Sequence, residues 1–281
     1  MDAISEKLNR IKTAKEDIKT SLENKGLAVD NNIETYASVI DEITLPVITS
    51  CRYLFYEGAR QNCHEELLAC CKNVTSIDYM YYNTYGAIKN ARLPEGVVTS
   101  SSCNNVFTYC TATEEIDFTN FDGTNTTTFN ACFSRCSALK KVLFDKNKQY
   151  TSFTTLSNMF NYGGSLLEVD LSCFVSQKLT EVYRMFNYCS KLPKIDLSPL
   201  YSAKITNSGQ MFYYCSALTT VIIDNENVFP MTNVNMFTGT PIESGTGYVY
   251  VPDNLVDTYK TATNWSTYAD QIKPLSEYVG E

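Results

Sequence analysis

The chain carries one histidine, His64, and one tryptophan, Trp265. A Ser-His-Asp or Cys-His nucleophilic system, or a histidine-rich metal site, would have to run through His64 alone. His64 lies in QNCHEELLACC beside Glu65 and Glu66, but Leu68 stands where the zinc-helix pattern H-E-x-x-H needs its second histidine. Eleven cysteines are an odd number, so at least one thiol is free or paired between chains. Cys70-Cys71 has no C-x-x-C partner, and Cys132/Cys136 lack a second pair. The expected state is small buried thiols in a reducing compartment. Neither an enzyme nor a metal or cofactor site is expected.

Charge narrows the partners further. Lys+Arg 23 against Asp+Glu 31 gives a net charge of −8 over 281 residues, the wrong sign for a nucleic-acid binder. The first 26 residues are charged throughout and do not read as a secretory signal. No window reaches the 18 apolar residues of a membrane span, so no membrane insertion is expected.

The residues that remain are arranged periodically. One phrase returns as Val106-Phe107-Thr108-Tyr109-Cys110, Cys132-Phe133-Ser134-Arg135-Cys136, Met159-Phe160-Asn161-Tyr162-Gly163, Met185-Phe186-Asn187-Tyr188-Cys189 and Met211-Phe212-Tyr213-Tyr214-Cys215, with a truncated Met236-Phe237-Thr238-Gly239. The phenylalanines recur at spacings of 26, 27, 26, 26 and 25. Each phrase leads into L-x-x-[IV]-x-[LFI], as in Leu139/Val142/Phe144, Leu166/Val169/Leu171, Leu192/Ile195/Leu197 and Leu218/Val221/Ile223. A weaker copy is Thr113/Ile116/Phe118, and an earlier one is read at Val74/Ile77/Tyr79. A further apolar column is Phe121, Phe174 and Leu200. The last two apolar positions of each copy alternate as in a strand.

One such unit cannot bury a core, but stacked units can. The expected fold is therefore an α/β repeat solenoid of about 26 residues per turn, with one parallel sheet whose strands lie about 4.8 Å apart. An N-terminal helical segment (1–45), the repeats (46–246) and a C-terminal strand-helix cap (247–281) complete the predicted organisation. In the cap, Trp265, Tyr268 and Ile272 follow at helical spacing and are read as end-cover.

Two surface columns are candidate ligand sites. Tyr109, Tyr162, Tyr188 and Tyr214 precede the cysteine column and form a ridge, either stacked only on themselves or offered to sugars or peptides. Asp117, Asp170 and Asp196 point outward from the strands, together with Asp78, either as ligand contacts or as partners of local backbone and hydroxyls such as Ser172 and Ser198. At the N-terminus Ile4, Leu8, Ile11, Ile18 and Leu22 fit a heptad seam with Lys15 in the missing slot. That seam suits oligomerisation, a homotrimer among the states it allows, or packing against the chain's own domain.

The phrase M-F-x-x-C-S-x-L-x-x-[IV]-D-L-S, clearest over 185–198, resembles the BspA-like leucine-rich repeats of bacterial surface proteins. Residues 250–274 look like the closing cap that follows such repeats in gut Firmicutes proteins. The stretch 18–26, followed by Tyr36-Ala37 and Ile40, is similar to the opening of tail-fibre-like proteins of phages and prophages of those bacteria. These resemblances imply adhesion or recognition. The first expectation is a phage or prophage tail-associated structural protein, located in the virion tail, that binds a host surface glycan or protein and contacts other tail proteins. The alternative is a bacterial cell-surface adhesin.

Overall fold

The computed structural model describes residues 48–58, 68, 71–85, 91–94, 98–202 and 204–280. The chain divides into two units, Met1–Pro46 and Val47–Glu281. The heptad positions Ile4, Leu8, Ile11, Ile18 and Leu22, and also His64, lie outside the described residues.

One ring column forms the axis of the second unit. Phe55, Tyr81, Phe107, Phe133, Phe160, Phe186, Phe212 and Phe237 are each at most 1% exposed. Neighbouring rings lie 5.0 to 5.7 Å apart, with planes within 22° of parallel. Leu139, Leu166, Leu192 and Leu218 line the same core. Tyr81 and Phe55 extend the column two copies toward the N-terminus. The copy read at Val74/Ile77/Tyr79 is therefore misplaced: Met80-Tyr81-Tyr82-Asn83-Thr84 is the phrase, and Val74, Ile77 and Tyr79 precede its ring instead of following one.

The expected α/β solenoid with one parallel sheet is corrected by the strand pairing. Parallel strands are present, but among the described residues they fall in four small sheets. β1 (Ile48–Ser50) pairs with β2 (Cys71–Ser76), β3 (Val98–Thr99) with β5 (Phe121–Asp122), and β4 (Glu115–Asp117) with β6 (Lys141–Leu143). The largest sheet runs β10 (Ile272–Pro274), β9 (Tyr248–Val251), β8 (Thr220–Ile222), β7 (Lys194–Asp196). The repeat strands are only two or three residues long, and an aspartate at or within two residues of their end, Asp117, Asp145, Asp196 or Asp224, lies where the chain leaves the strand. Pairing also stops between β6 and β7: residues 168–170 occupy that copy without strand structure. Helix is sparse too among the described residues. Among the described residues the one α-helix of a full turn or more is α1 (Val256–Thr261), and other helical pieces are short 3-10 segments.

Continuity is supplied by the turn wall instead. Each of these five phrases has two residues with positive φ, four positions apart, one just before it and one at its fourth position: Asn105 and Tyr109, Ala131 and Arg135, Asn158 and Tyr162, Arg184 and Tyr188, Gln210 and Tyr214. A left-handed side-chain-bearing residue costs about 1 kcal/mol or more. Here the conformation aims alternate amides along the axis. The N–H groups of Asn105, Phe107 and Tyr109 donate to Asn130, Cys132 and Ser134 carbonyls of the next copy at 2.8 to 3.1 Å. The pattern repeats from Tyr53 to Tyr214, always in one direction. At its C-terminal end the Gly239 amide (φ +77) donates to Glu243 Oε2 at 2.7 Å, so a carboxylate ends the row of aligned amides.

The C-terminal segment covers the last ring. Phe237 meets Trp265 and Tyr268 at 5.9 and 5.3 Å. Trp265 Nε1 donates to the Phe229 carbonyl, the Phe229 amide donates to the Tyr259 hydroxyl, and Tyr268 donates to the Val234 carbonyl. Backbone groups that a following copy would pair are thus satisfied by side chains.

Candidate functional site

The cysteine column is internal and occupied. Cys136, Cys189 and Cys215 thiols donate to the Phe107, Phe160 and Phe186 carbonyls of the preceding copy at 2.9 to 3.2 Å, and Cys110 to the Tyr81 carbonyl at 3.4 Å. All nine described cysteines are buried and unbridged. Burial pushes Cys173 and Cys215 up to about 12, and Cys103, Cys136 and Cys189 well above the ordinary thiol range. Such thiols are poor nucleophiles and poor metal ligands. Among the described residues no group of three His, Cys, Asp or Glu side chains is placed to hold a metal.

The aspartates build turns. Asp117 accepts from the Thr119 amide and hydroxyl at 2.9 and 2.7 Å, and Asp196 from the Ser198 amide and hydroxyl at 2.8 and 2.5 Å. Asp170 accepts from the Ser172 amide at 2.9 Å and pairs with Lys146 at 2.7 Å. Burial opposes its ionisation, but the Lys146 and Ser172 contacts outweigh that and hold its carboxyl below the usual range. Asp78 does not point outward: it is buried, and it accepts from the Ser102 hydroxyl and the Asn104 amide. Asp122 and Asp145 make the same local turns through Thr124 and Asn147. Except for Asp78, which bonds the next copy, each side chain thus spends an oxygen on its own loop. Beside Asp170 and Asp196, where strand pairing stops, a cleft of about 620 Å³ opens between Lys141, Leu167, Glu168 and Lys194.

The tyrosines form the exposed feature. Tyr162 and Tyr188 stack at 4.8 Å with planes 5° apart, and Tyr188 and Tyr214 at 5.1 Å and 8°. They are 40%, 37% and 44% exposed. Tyr109 is half-buried and does not touch Tyr162 directly. Arg135 fills the place between them, its guanidinium carbon 5.2 Å from one ring centre and 4.5 Å from the other. Gly239 ends the row: a Cβ there would lie 2.9 Å from the Tyr214 ring. Stacking covers the ring faces, so the ridge presents edges, phenol oxygens and one guanidinium. The left-handed backbone aims all five side chains along the same outer line.

Sequence reasoning left out three parts of this arrangement. Arg135 stands in the column in place of a tyrosine. Tyr150 fills the rung between Phe121 and Phe174, 5.9 and 5.2 Å from them, and closes over Gly123. An outer hydroxyl column, Thr127, Thr154, Thr180 and Thr206, donates to the preceding copy's Ser101, Thr127, Thr154 and Thr180 carbonyls at 3.0 to 3.4 Å. Its recurrence at 27, 26 and 26 residues was the available signal.

Ring column, one-way amide rows and ridge together define a scaffold of stacked copies that displays a linear aromatic surface. Residues 101–240, which contain the ridge from Tyr109 to Tyr214, match the family described as "Mycoplasma protein of unknown function, DUF285". No curated protein matches the chain.

Proposed function

We propose that this protein is a non-catalytic recognition protein that adheres to a host cell surface through the Tyr109–Arg135–Tyr162–Tyr188–Tyr214 ridge, as a phage or prophage tail-associated structural component. The observation that carries the reading is the row of stacked, exposed tyrosines on a rigid turn wall. Large aromatic area that is already ordered binds at low entropic cost. In this reading the N-terminal seam at Ile4, Leu8, Ile11, Ile18 and Leu22 joins copies, as a homotrimer, or docks on other tail proteins. The test is co-sedimentation of the full chain with purified Firmicutes cell walls. Wild type is expected to sediment, and the triple substitution Tyr162→Ala, Tyr188→Ala, Tyr214→Ala to lose at least about tenfold in affinity while keeping its melting transition. Equal sedimentation of the two, or none by wild type, contradicts the reading.

A bacterial cell-surface adhesin is the second reading. It is favoured by the description of the matched family, which names a bacterium. Immunogold labelling separates the two: label on particles released by prophage induction supports the tail component, and label confined to the cell envelope supports the adhesin.

A further inference from the structure

Arg135 differs from the paired cations around it. Lys140, Lys141 and Lys146 pair with Glu114, Glu115 and Asp170 at 2.6, 3.1 and 2.7 Å. Arg184 donates from Nε to Gln210 Oε1 at 2.6 Å. Arg135 is exposed, and among the described residues no ion pair or side-chain hydrogen bond engages its guanidinium. Its contacts are the Tyr109 and Tyr162 rings. Two rings hold the planar cation in place and leave its N–H donors without a protein acceptor. A weakly hydrated, pre-oriented fork of this kind matches the oxyanion of a carboxylate, sulfate or phosphate. A guanidinium without a protein acceptor, on a chain of net charge −8, is a local point of attraction for an anion.

The neighbouring phenols set the ligand's period. From Tyr162 to Tyr188 to Tyr214 the ridge steps by 4.8 and 5.1 Å. An extended peptide advances about 3.3 Å per residue and returns a side chain to the same face after about 6.6 Å, out of step with these rungs. A pyranose chain advances by one ring and one bridging oxygen, close to one rung per sugar. Because stacking hides the ring faces, recognition falls to hydrogen bonds at the phenol edges and to the charge of Arg135.

We infer that the ridge takes an acidic polysaccharide, with an oxyanion of one sugar on Arg135 and hydroxyls of successive sugars on the Tyr162, Tyr188 and Tyr214 phenols. This rests on the ridge being the binding surface. The full chain is titrated calorimetrically with polygalacturonate, dextran sulfate, neutral dextran and poly-L-glutamate. Wild type is expected to bind at least one of the two acidic polysaccharides more tightly than dextran, the preferred one reporting carboxylate or sulfate. Arg135→Tyr restores the residue that fills this column elsewhere, so the stack should keep its melting temperature. It should lose roughly tenfold or more in affinity for that polysaccharide together with the salt dependence of binding. Arg135→Lys, which keeps the charge without the fork, should fall between the two. Unchanged binding by Arg135→Tyr, equal binding of poly-L-glutamate, or no binding of either acidic polysaccharide by wild type overturns the inference. If Arg135→Tyr is silent while the triple tyrosine variant loses cell-wall binding, the anion subsite fails and the ridge stands; if both variants behave as wild type, both fail.

Discussion

The turn wall and the strand wall of this protein are built from the same periodic sequence, yet only one of them is continuous. On the turn wall, rings stack and amides point one way from Tyr53 to Gly239. On the strand wall, pairing is divided among four sheets and stops at 168–170. The copy there keeps its apolar residues Leu166, Val169 and Leu171, but Val169 is only partly buried, and among the described residues no backbone bond joins 168–170 to a neighbour. Ladder hydrogen bonds are thus dispensable on one wall because the other fixes the spacing. A binding surface that must hold a period of about 5 Å belongs on the wall that keeps it.

Truncations should separate the two walls most strongly. Phe186→Ala removes a fully buried ring with stacked neighbours on both sides and is expected to cost about 3–5 kcal/mol in denaturant unfolding. Val169→Ala, in the interrupted copy, should cost about 1 kcal/mol. Similar losses at both positions would erase the distinction.

Alkaline pH should loosen the stack through its buried thiols. Cys215 and Cys173 have folded values raised from 9.0 to about 12, Cys215 chiefly by burial. The unfolded chain therefore releases these protons first, and stability falls as pH rises. Melting temperature should hold up to pH 9 and decline between pH 9 and 12, each unit removing at most about 1.4 kcal/mol per buried thiol. Cys215→Ala should blunt the decline, and a melting temperature independent of pH across that window would contradict it.

Gly239→Ala probes the end of the ridge. Its φ of +77° and a Cβ position 2.9 Å from the Tyr214 ring set an expected loss of about 1–2 kcal/mol by thermal melting. No loss would mean that the last rung yields freely.

Much of the core was legible because identical side chains recur: Phe107 through Phe237 announce one column. Tyr81 and Phe55 keep the same 26-residue step but were missed because Tyr replaces Phe at 81 and neither phrase carries the cysteine, while Val74/Ile77 imitate the strand pattern just before the ring. The divided sheet was not legible, since Leu166/Val169/Leu171 satisfy the same apolar pattern as the copies that do pair. The left-handed positions were hidden too, being filled by Asn, Ala, Arg, Gln and Tyr instead of glycine. Of the candidate ligand residues, the tyrosines were visible as a column, whereas Arg135 was concealed by being its exception. Asp117, Asp170 and Asp196 share a spacing with the strands, but the residue two positions on, Thr119, Ser172 or Ser198, is what claims them.

Native-state hydrogen exchange compares the two walls directly. Amides of Phe160, Tyr162, Phe186 and Tyr188 are expected to exchange only through global unfolding, and those of Glu168, Val169 and Asp170 through low-energy local opening. Equal protection in both groups, or faster exchange at the tyrosines than at 168–170, would contradict a continuous turn wall as the element that holds the stack and its ridge in register.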